Sequence, residues 1–147
     1  MLEVLCRLKI IFHQNDWYVR KKVYFCAAKK EIMTLRTYLE KDKQLPADIV
    51  DILDDLFEEV EVSKGETLIV EGSQSHKVFF VEEGITRLYY QKEGKDVTYT
   101  FIGEGQFYAP IENIFLKMYF PYNYEALEGC KLRVTDFSAL NDRFTGN

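Results

Sequence analysis

The sequence predicts a mainly β domain, a barrel or roll with flanking helices. Three observations carry this. From residue 60 onward, short runs rich in Val, Ile, Phe, Tyr and Thr follow one another. A glycine-bearing turn separates most of them. The helical spacing of apolar residues, clear before Glu59, stops there. Regular short strands punctuated by turn residues are the pattern of an all-β barrel or roll. A chain of 147 residues, 47% hydrophobic and 15% aromatic, suits one domain with a real core and is too apolar for a disordered polypeptide.

Residues 1–30 form a basic N-terminal extension with no clean period. They hold Arg7, Lys9, Arg20, Lys21, Lys22, Lys29 and Lys30 against Glu3 and Asp16, a net charge of +5. Two readings stay open. Met33 is a natural start and the residues before it an upstream extension, or the segment is a real element packing on the body. The whole chain carries −5, which leaves −10 on residues 31–147. An acidic body repels nucleic-acid phosphates, so specific DNA binding by this chain alone is not expected.

The body, residues 31–147, reads as follows. Ile32, Leu35, Tyr38 and Leu39 recur at helical spacing over Glu31–Glu40. A second helix starts at Pro46, whose missing N–H costs nothing in a first turn, and carries the stripe Ile49, Ile52, Leu53, Leu56 and Phe57. Strands follow over Val60–Val62, Thr67–Glu71, Lys77–Glu82, Ile85–Gln91 and Val97–Ile102. Val97, Tyr99 and Phe101 alternate with Thr98 and Thr100, as on a half-buried strand. Val78-Phe79-Phe80-Val81 does not alternate, which predicts a strand covered on both faces or bulged. A short helix is expected over Pro110–Met118, strands over Tyr122–Leu127 and Lys131–Thr135, and a helical start from Asp136. The expected inward set is Val62, Leu68, Val70, Phe79, Val81, Leu88, Tyr90 and Phe101.

The turns contain Gly65, Gly72, Gly84, Gly94 and Gly105, positions where a tight turn favours positive φ or no side chain. The segments between them read KGETLIVEGS, VFFVEEGITRLYY and EGKDVTYTFIGEGQF. One such glycine says little; five in this order, behind a helix pair, say more. The stretch Leu45–Leu140 resembles the cyclic-nucleotide-binding-like effector domain of the Crp–Fnr regulator superfamily. The resemblance implies a double-stranded β-helix, a jelly-roll-like β-roll of the cyclic-nucleotide-binding type. It implies a ligand-sensing regulatory role related to transcription regulation. The family's dimerisation helix and winged helix-turn-helix have no counterpart in residues 1–147, so at most a weak homodimer is expected.

In relatives that bind cyclic AMP, the resemblance implies a cradle between the last glycine turn and the next strand: amides at a short helix, an arginine for the cyclic phosphate and a glutamate for the ribose. The matching segment is Gly105–Ala126. It departs from that pattern. The glutamate position is Pro110, which also lacks an N–H, and the arginine position falls at about Phe120. From Gly103 to Glu128 the net charge is −3. A buried phosphate without counter-charge is costly, so cyclic AMP is not expected to bind. The candidate pocket comprises Phe107, Tyr108, Pro110, Ile111, Glu112, Asn113, Tyr122, Asn123 and Tyr124. A natural ligand would then be neutral or cationic and partly aromatic, held by Tyr122, Tyr124 and Glu112. Equally open is a closed site, with these aromatics as core and the roll acting as a ligand-free protein-interaction module.

Other chemistry is disfavoured. With only His13 and His76, the clustered histidines of a roll-shaped metalloenzyme are missing, so no metal or other cofactor is expected. Ser73, Ser75 and His76 lie in one turn without a nucleophile-elbow motif, and no catalytic residue is assigned. Cys6, Cys26 and Cys130 form no Cys-x-x-Cys pair, which points to a reducing cytoplasm. No apolar run reaches the roughly 20 residues a bilayer span needs, and no membrane partner is expected.

Overall fold

The computed structural model describes residues 33–145. The basic segment 1–30 and the choice between the two possible starts lie outside the described residues. Helix α1, Leu35–Thr37, runs directly into a π-helical turn at Tyr38–Asp42. The Thr34 hydroxyl caps α1 by accepting the Thr37 N–H at 3.1 Å. Helix α2 spans Ala47–Leu56, with Pro46 one position ahead of it as the N-cap. There the Pro46 carbonyl accepts the N–H groups of Ile49 and Val50. Val50 and Leu53 are the fully buried residues of α2, and Phe57 is buried just beyond it. Val50 was outside the apolar stripe read from spacing, while Ile49, Ile52 and Leu56 are only half-buried.

Eight strands follow: β1 Glu58–Val62, β2 Thr67–Ile69, β3 Lys77–Glu83, β4 Thr86–Lys92, β5 Lys95–Ile102, β6 Gln106–Tyr108, β7 Asn123–Ala126 and β8 Cys130–Asp136. They form two four-stranded sheets, ordered β1-β8-β3-β6 and β2-β7-β4-β5, with every pairing antiparallel. The turn glycines Gly65, Gly72, Gly84, Gly94 and Gly105 all have positive φ, between 74° and 99°. At Gly84 space matters as well, since a Cβ there would lie 2.5 Å from Cys130 Sγ. Helix α3 is one turn, Ile111–Ile114, shorter than the helix expected over Pro110–Met118, and α4 spans Phe137–Thr145. The left-handed backbone at Lys117, φ 51°, keeps the chain after α3 from continuing as helix.

The layers are helices, first sheet, second sheet. β3 is covered on both faces, which explains its unbroken apolar run. Val78 and Phe80 pack with Leu35, Tyr38, Leu39, Val50, Leu53 and Phe57 on the helix side. Phe79 and Val81 point between the sheets, toward Leu88, Ile102, Tyr124 and Leu132.

Two residues of the expected inward set face solvent instead: Val70 is 57% exposed and Phe101 38%. Both departures follow from irregularities in the ladders. The β2–β7 register shifts between Thr67 and Ile69, so that Ile69 turns inward opposite Tyr124. Val70 already lies past the strand, in a turn where its carbonyl accepts the Ser73 N–H. In β5 an extra residue, Tyr99, sits between Thr98, paired with Tyr89, and Thr100, paired with Leu88. A bulge of this kind reverses which face the following side chains take. Phe101 is therefore outward opposite Arg87, and Ile102 inward opposite Thr86.

Candidate functional site

The segment Gly105–Ala126 is placed by both sheets. β6 adds to the edge of the first sheet through Phe79–Tyr108 and Phe80–Phe107 pairing. β7 lies inside the second, between β2 and β4. The connection between them, α3 and the loop after it, is tied down by Asn113. This residue is 2% exposed. Its Oδ1 accepts the Ser75 N–H at 2.9 Å, and its Nδ2 donates to the carbonyls of Ser73 and Met118. Asn123 Oδ1 accepts the Glu71 N–H at 3.0 Å. Both asparagines are thus committed to loop architecture, as expected for side chains that can satisfy stray backbone groups.

The nine candidate residues do not converge on one cavity. Phe107 turns away from the others into the helix-side core, with its ring centroid 4.7 Å from Phe80 and 5.5 Å from Tyr38. Adjacent strand residues take opposite faces, so Tyr108 points between the sheets. There it meets Tyr124 at 4.8 Å and Phe120 at 6.4 Å. Tyr124 is fully buried, and its hydroxyl is hydrogen-bonded to the Thr86 hydroxyl at 3.0 Å. Pro110 is fully buried as the residue before α3, Ile111 is half-buried, and Glu112 occupies the first turn of α3.

Around Tyr122 an aromatic group reaches the surface. The Tyr99 and Tyr122 rings stack at 4.7 Å with an interplanar angle of 14°, and Tyr90 lies 6.4 Å from Tyr122. Burial first, and the Glu112 carboxylate second, push the Tyr108 phenol well above its usual range. Tyr122 is also raised, by burial, then by Tyr99 and Glu112. Burial raises Tyr124 as well, against a lowering by its bond to Thr86.

Phe120, at the position the resemblance gives to a phosphate-binding arginine, is 1% exposed and packs in the inter-sheet core. The arginines of the sheets point elsewhere. Arg87, on the outer face of the second sheet, contacts Glu125 at 2.7 Å, Asp96 at 3.2 Å and Thr98 at 2.9 Å, and lies over the Tyr89 ring. Arg133 points to the helices. Its guanidinium donates to the carbonyls of Asp54 and Phe57, pairs with Asp54 Oδ1 at 3.1 Å and lies 3.7 Å from Glu82. The Arg133 network was not read from the sequence, because Arg133 lies on β8 while its partners come from α2, the residue that follows it, and β3. Among the described residues, no group of three or more His, Cys, Asp or Glu is arranged to hold a metal ion, and no helix is long and apolar enough to cross a membrane.

A two-sheet roll with a helix pair behind it and a short helix between β6 and β7 defines the class of cyclic-nucleotide-binding-type regulatory domains. The family model of the cyclic nucleotide-binding domain matches residues 59–146, and the chain belongs to that family. No curated protein sequence matches the chain significantly. Solved structures with the same fold include the regulatory domain of Toxoplasma gondii PKA with cAMP, at 14% identity and a TM-score of 0.63 over 73% of this chain and 42% of that one. The N-terminal domain of a transcriptional regulator from Streptomyces coelicolor A3(2) matches at 20% identity and a TM-score of 0.63, over 77% of this chain and 78% of that one. A cyclic nucleotide-binding-like protein from Brucella abortus matches at 14% identity and a TM-score of 0.61, over 77% of this chain and 98% of that one. The chain therefore spans less than half of the Toxoplasma chain and most of the other two.

Proposed function

We propose that this chain is a ligand-sensing regulatory domain related to Crp–Fnr-type regulators, working in the cytoplasm without catalysis, and that its input is not cyclic AMP. The observation that carries this is the burial of Phe120 in the inter-sheet core, at the position that the resemblance gives to a phosphate-binding arginine. Arg87 and Arg133 do not replace that charge, since each is held by carboxylates on a different face. Pro110 offers no N–H to an anion, and Glu112 adds repulsion. Bringing a phosphate into such surroundings costs several kcal/mol that no pairing returns. Isothermal titration of the full chain with cyclic AMP tests the reading. No saturable heat in the low micromolar range is expected, and a dissociation constant there or tighter refutes it.

A second reading, a ligand-free protein-interaction module, is favoured by the loop after α3. Leu116, Met118 and Tyr119 are 59%, 57% and 71% exposed, a run of apolar surface that a protein partner would cover. Native mass spectrometry of freshly purified protein separates the two: a retained small molecule supports sensing, and a bare chain supports the module.

A further inference from the structure

The exposed apolar surface of the described residues is concentrated in one place. Of the seven large hydrophobic residues that face solvent, five lie on two neighbouring loops: Val70 at 57%, Phe115 at 36%, Leu116 at 59%, Met118 at 57% and Tyr119 at 71%. Backbone bonds clamp these loops side by side. The Gly72 N–H donates to the Phe120 carbonyl at 2.8 Å, and the Phe120 N–H donates to the Ser73 carbonyl at 3.2 Å. Asn113 ties the same loops together, donating from Nδ2 to the carbonyls of Ser73 and Met118 at 3.2 and 2.7 Å. The Met118 N–H closes back on the Glu112 carbonyl at 2.9 Å. The Phe115 ring packs edge-on against Phe137 at the start of α4, with centroids 5.4 Å apart. A fixed frame thus holds these side chains outward, which lowers the entropic cost of covering them.

Together the five residues present about 500 Å² of apolar surface, near the upper end for an ordinary monomer and short of the roughly 800 Å² that each side of a tight complex buries. Two such patches face to face bury about 1,000 Å², the lower bound of a specific interface. A two-fold contact guarantees the match, because the same patch stands on both sides. The charges favour it too. Glu71 and Lys117 are exposed, one on each loop, and neither makes an ion pair among the described residues. A two-fold axis between the loops sets Glu71 of one copy against Lys117 of the other, twice over. A lipid surface offers no such match, and an anionic one repels the acidic body. We propose that loops 70–73 and 115–119 form the interface of a weak, two-fold homodimer of this chain, with Val70, Leu116, Met118 and Tyr119 at its centre and Glu71–Lys117 pairs at its rim. This rests on the reading of the loop after α3 as an interaction surface, and it names the partner.

The test is sedimentation equilibrium of the full chain from micromolar to millimolar concentration. The expected result is a monomer–dimer equilibrium with a dissociation constant of roughly 10–100 μM, in keeping with so small a contact. Leu116→Glu should weaken it about tenfold or more, because it buries a charge between apolar surfaces. Glu71→Lys and Lys117→Glu should each weaken it about threefold by opposing like charges, and the two together should restore it to within about twofold, with unchanged near-ultraviolet circular dichroism. A monomer throughout, a dimer that Leu116→Glu leaves intact, or a double reversal no tighter than the single ones overturns the inference. So does flotation of a monomeric chain with neutral phosphatidylcholine vesicles that Leu116→Glu abolishes, which would assign the patch to lipid. If the chain is a monomer and native mass spectrometry finds it without a small molecule, the partner named here is wrong while the interaction-module reading stands. A monomer carrying a small molecule overturns both.

Discussion

Replacing Arg133 by alanine would probe how the helices are held to the roll. The guanidinium closes the C-terminal end of α2 by donating to the carbonyls of Asp54 and Phe57, at distances from 2.6 to 3.1 Å. A helix end has no internal donors for such groups. The same side chain faces Asp54 and Glu82 and is 15% exposed, against 21% and 11% for the two carboxylates. Losing donors to two partly buried carbonyls costs about 1 kcal/mol each. A fully buried pair deprived of one partner costs about 3–5 kcal/mol, an exposed one about 0–1, and this pair lies between. Some of the loss is cushioned, because Asp54 keeps Arg36 at 3.1 Å and Glu82 keeps the Leu35 N–H at 2.9 Å. The expected destabilisation is about 3 kcal/mol in total, or roughly 6–12 °C in Tm for a domain of this size. Urea unfolding at pH 7, followed by far-ultraviolet circular dichroism, should show a lower midpoint at unchanged slope. Arg133→Lys should recover less than half of the loss, since one ammonium cannot reproduce the guanidinium fork. A loss below about 1 kcal/mol for alanine, or full recovery by lysine, would refute the capping argument.

Gly84→Ala should cost about 2 kcal/mol or more, because positive φ adds to a clash at Cys130 Sγ, whereas Gly94→Ala, with open space around it, should cost only about 1 kcal/mol in the same urea assay. Tyr124→Phe should lose about 1 kcal/mol by removing the buried partner of the Thr86 hydroxyl. Tyr108 and Tyr124 titrate above the ordinary value of 10.0 when folded, so they favour the folded state fully below that pH. Stability should be flat with respect to these phenols up to about pH 10 and fall as pH rises further, and a phenol absorbance change preceding unfolding would contradict this. Fluorescence anisotropy with duplex DNA should show no nanomolar, sequence-dependent binding at physiological salt. Sedimentation should show self-association no tighter than micromolar, and weaker still in Leu116→Glu.

Most of the fold was legible because it depends on local pattern. The five glycines fixed the turns, and the unbroken Val78–Val81 run identified the strand lying between two cores. What spacing could not show was an inserted residue. The bulge at Tyr99 leaves the alternation of apolar and polar letters intact while reversing which of them face inward, so Phe101 reads as core and lies outside. β6 was unreadable for a different reason: three residues are too few to show a period. In the candidate site, Phe107 and Tyr108 are adjacent aromatics with equal claims by composition, and only the β3–β6 register sends one to the helices and the other between the sheets. The charges of Arg87 and Arg133 were visible, but the partners that hold them are far away in sequence.

The strand order also sets a timetable for the growing polypeptide. β8 lies between β1 and β3, with Glu58 opposite Val134, and β7 lies between β2 and β4. The central member of each trio is thus translated after both of its neighbours. At about 5–20 residues per second, β1 waits several seconds on the ribosome for its only ladder partner. The hairpin β4–β5 and the β3–β6 pair can close earlier, but they leave the edges meant for β7 and β8 open. A nascent chain stalled before Cys130 would display those edges beside the unsheltered Phe79 and Val81, a surface suited to chaperone capture or to pairing with a neighbour on the same messenger. Pairing of β8 therefore closes the first sheet, since its seven residues join β1 on one side to β3 on the other.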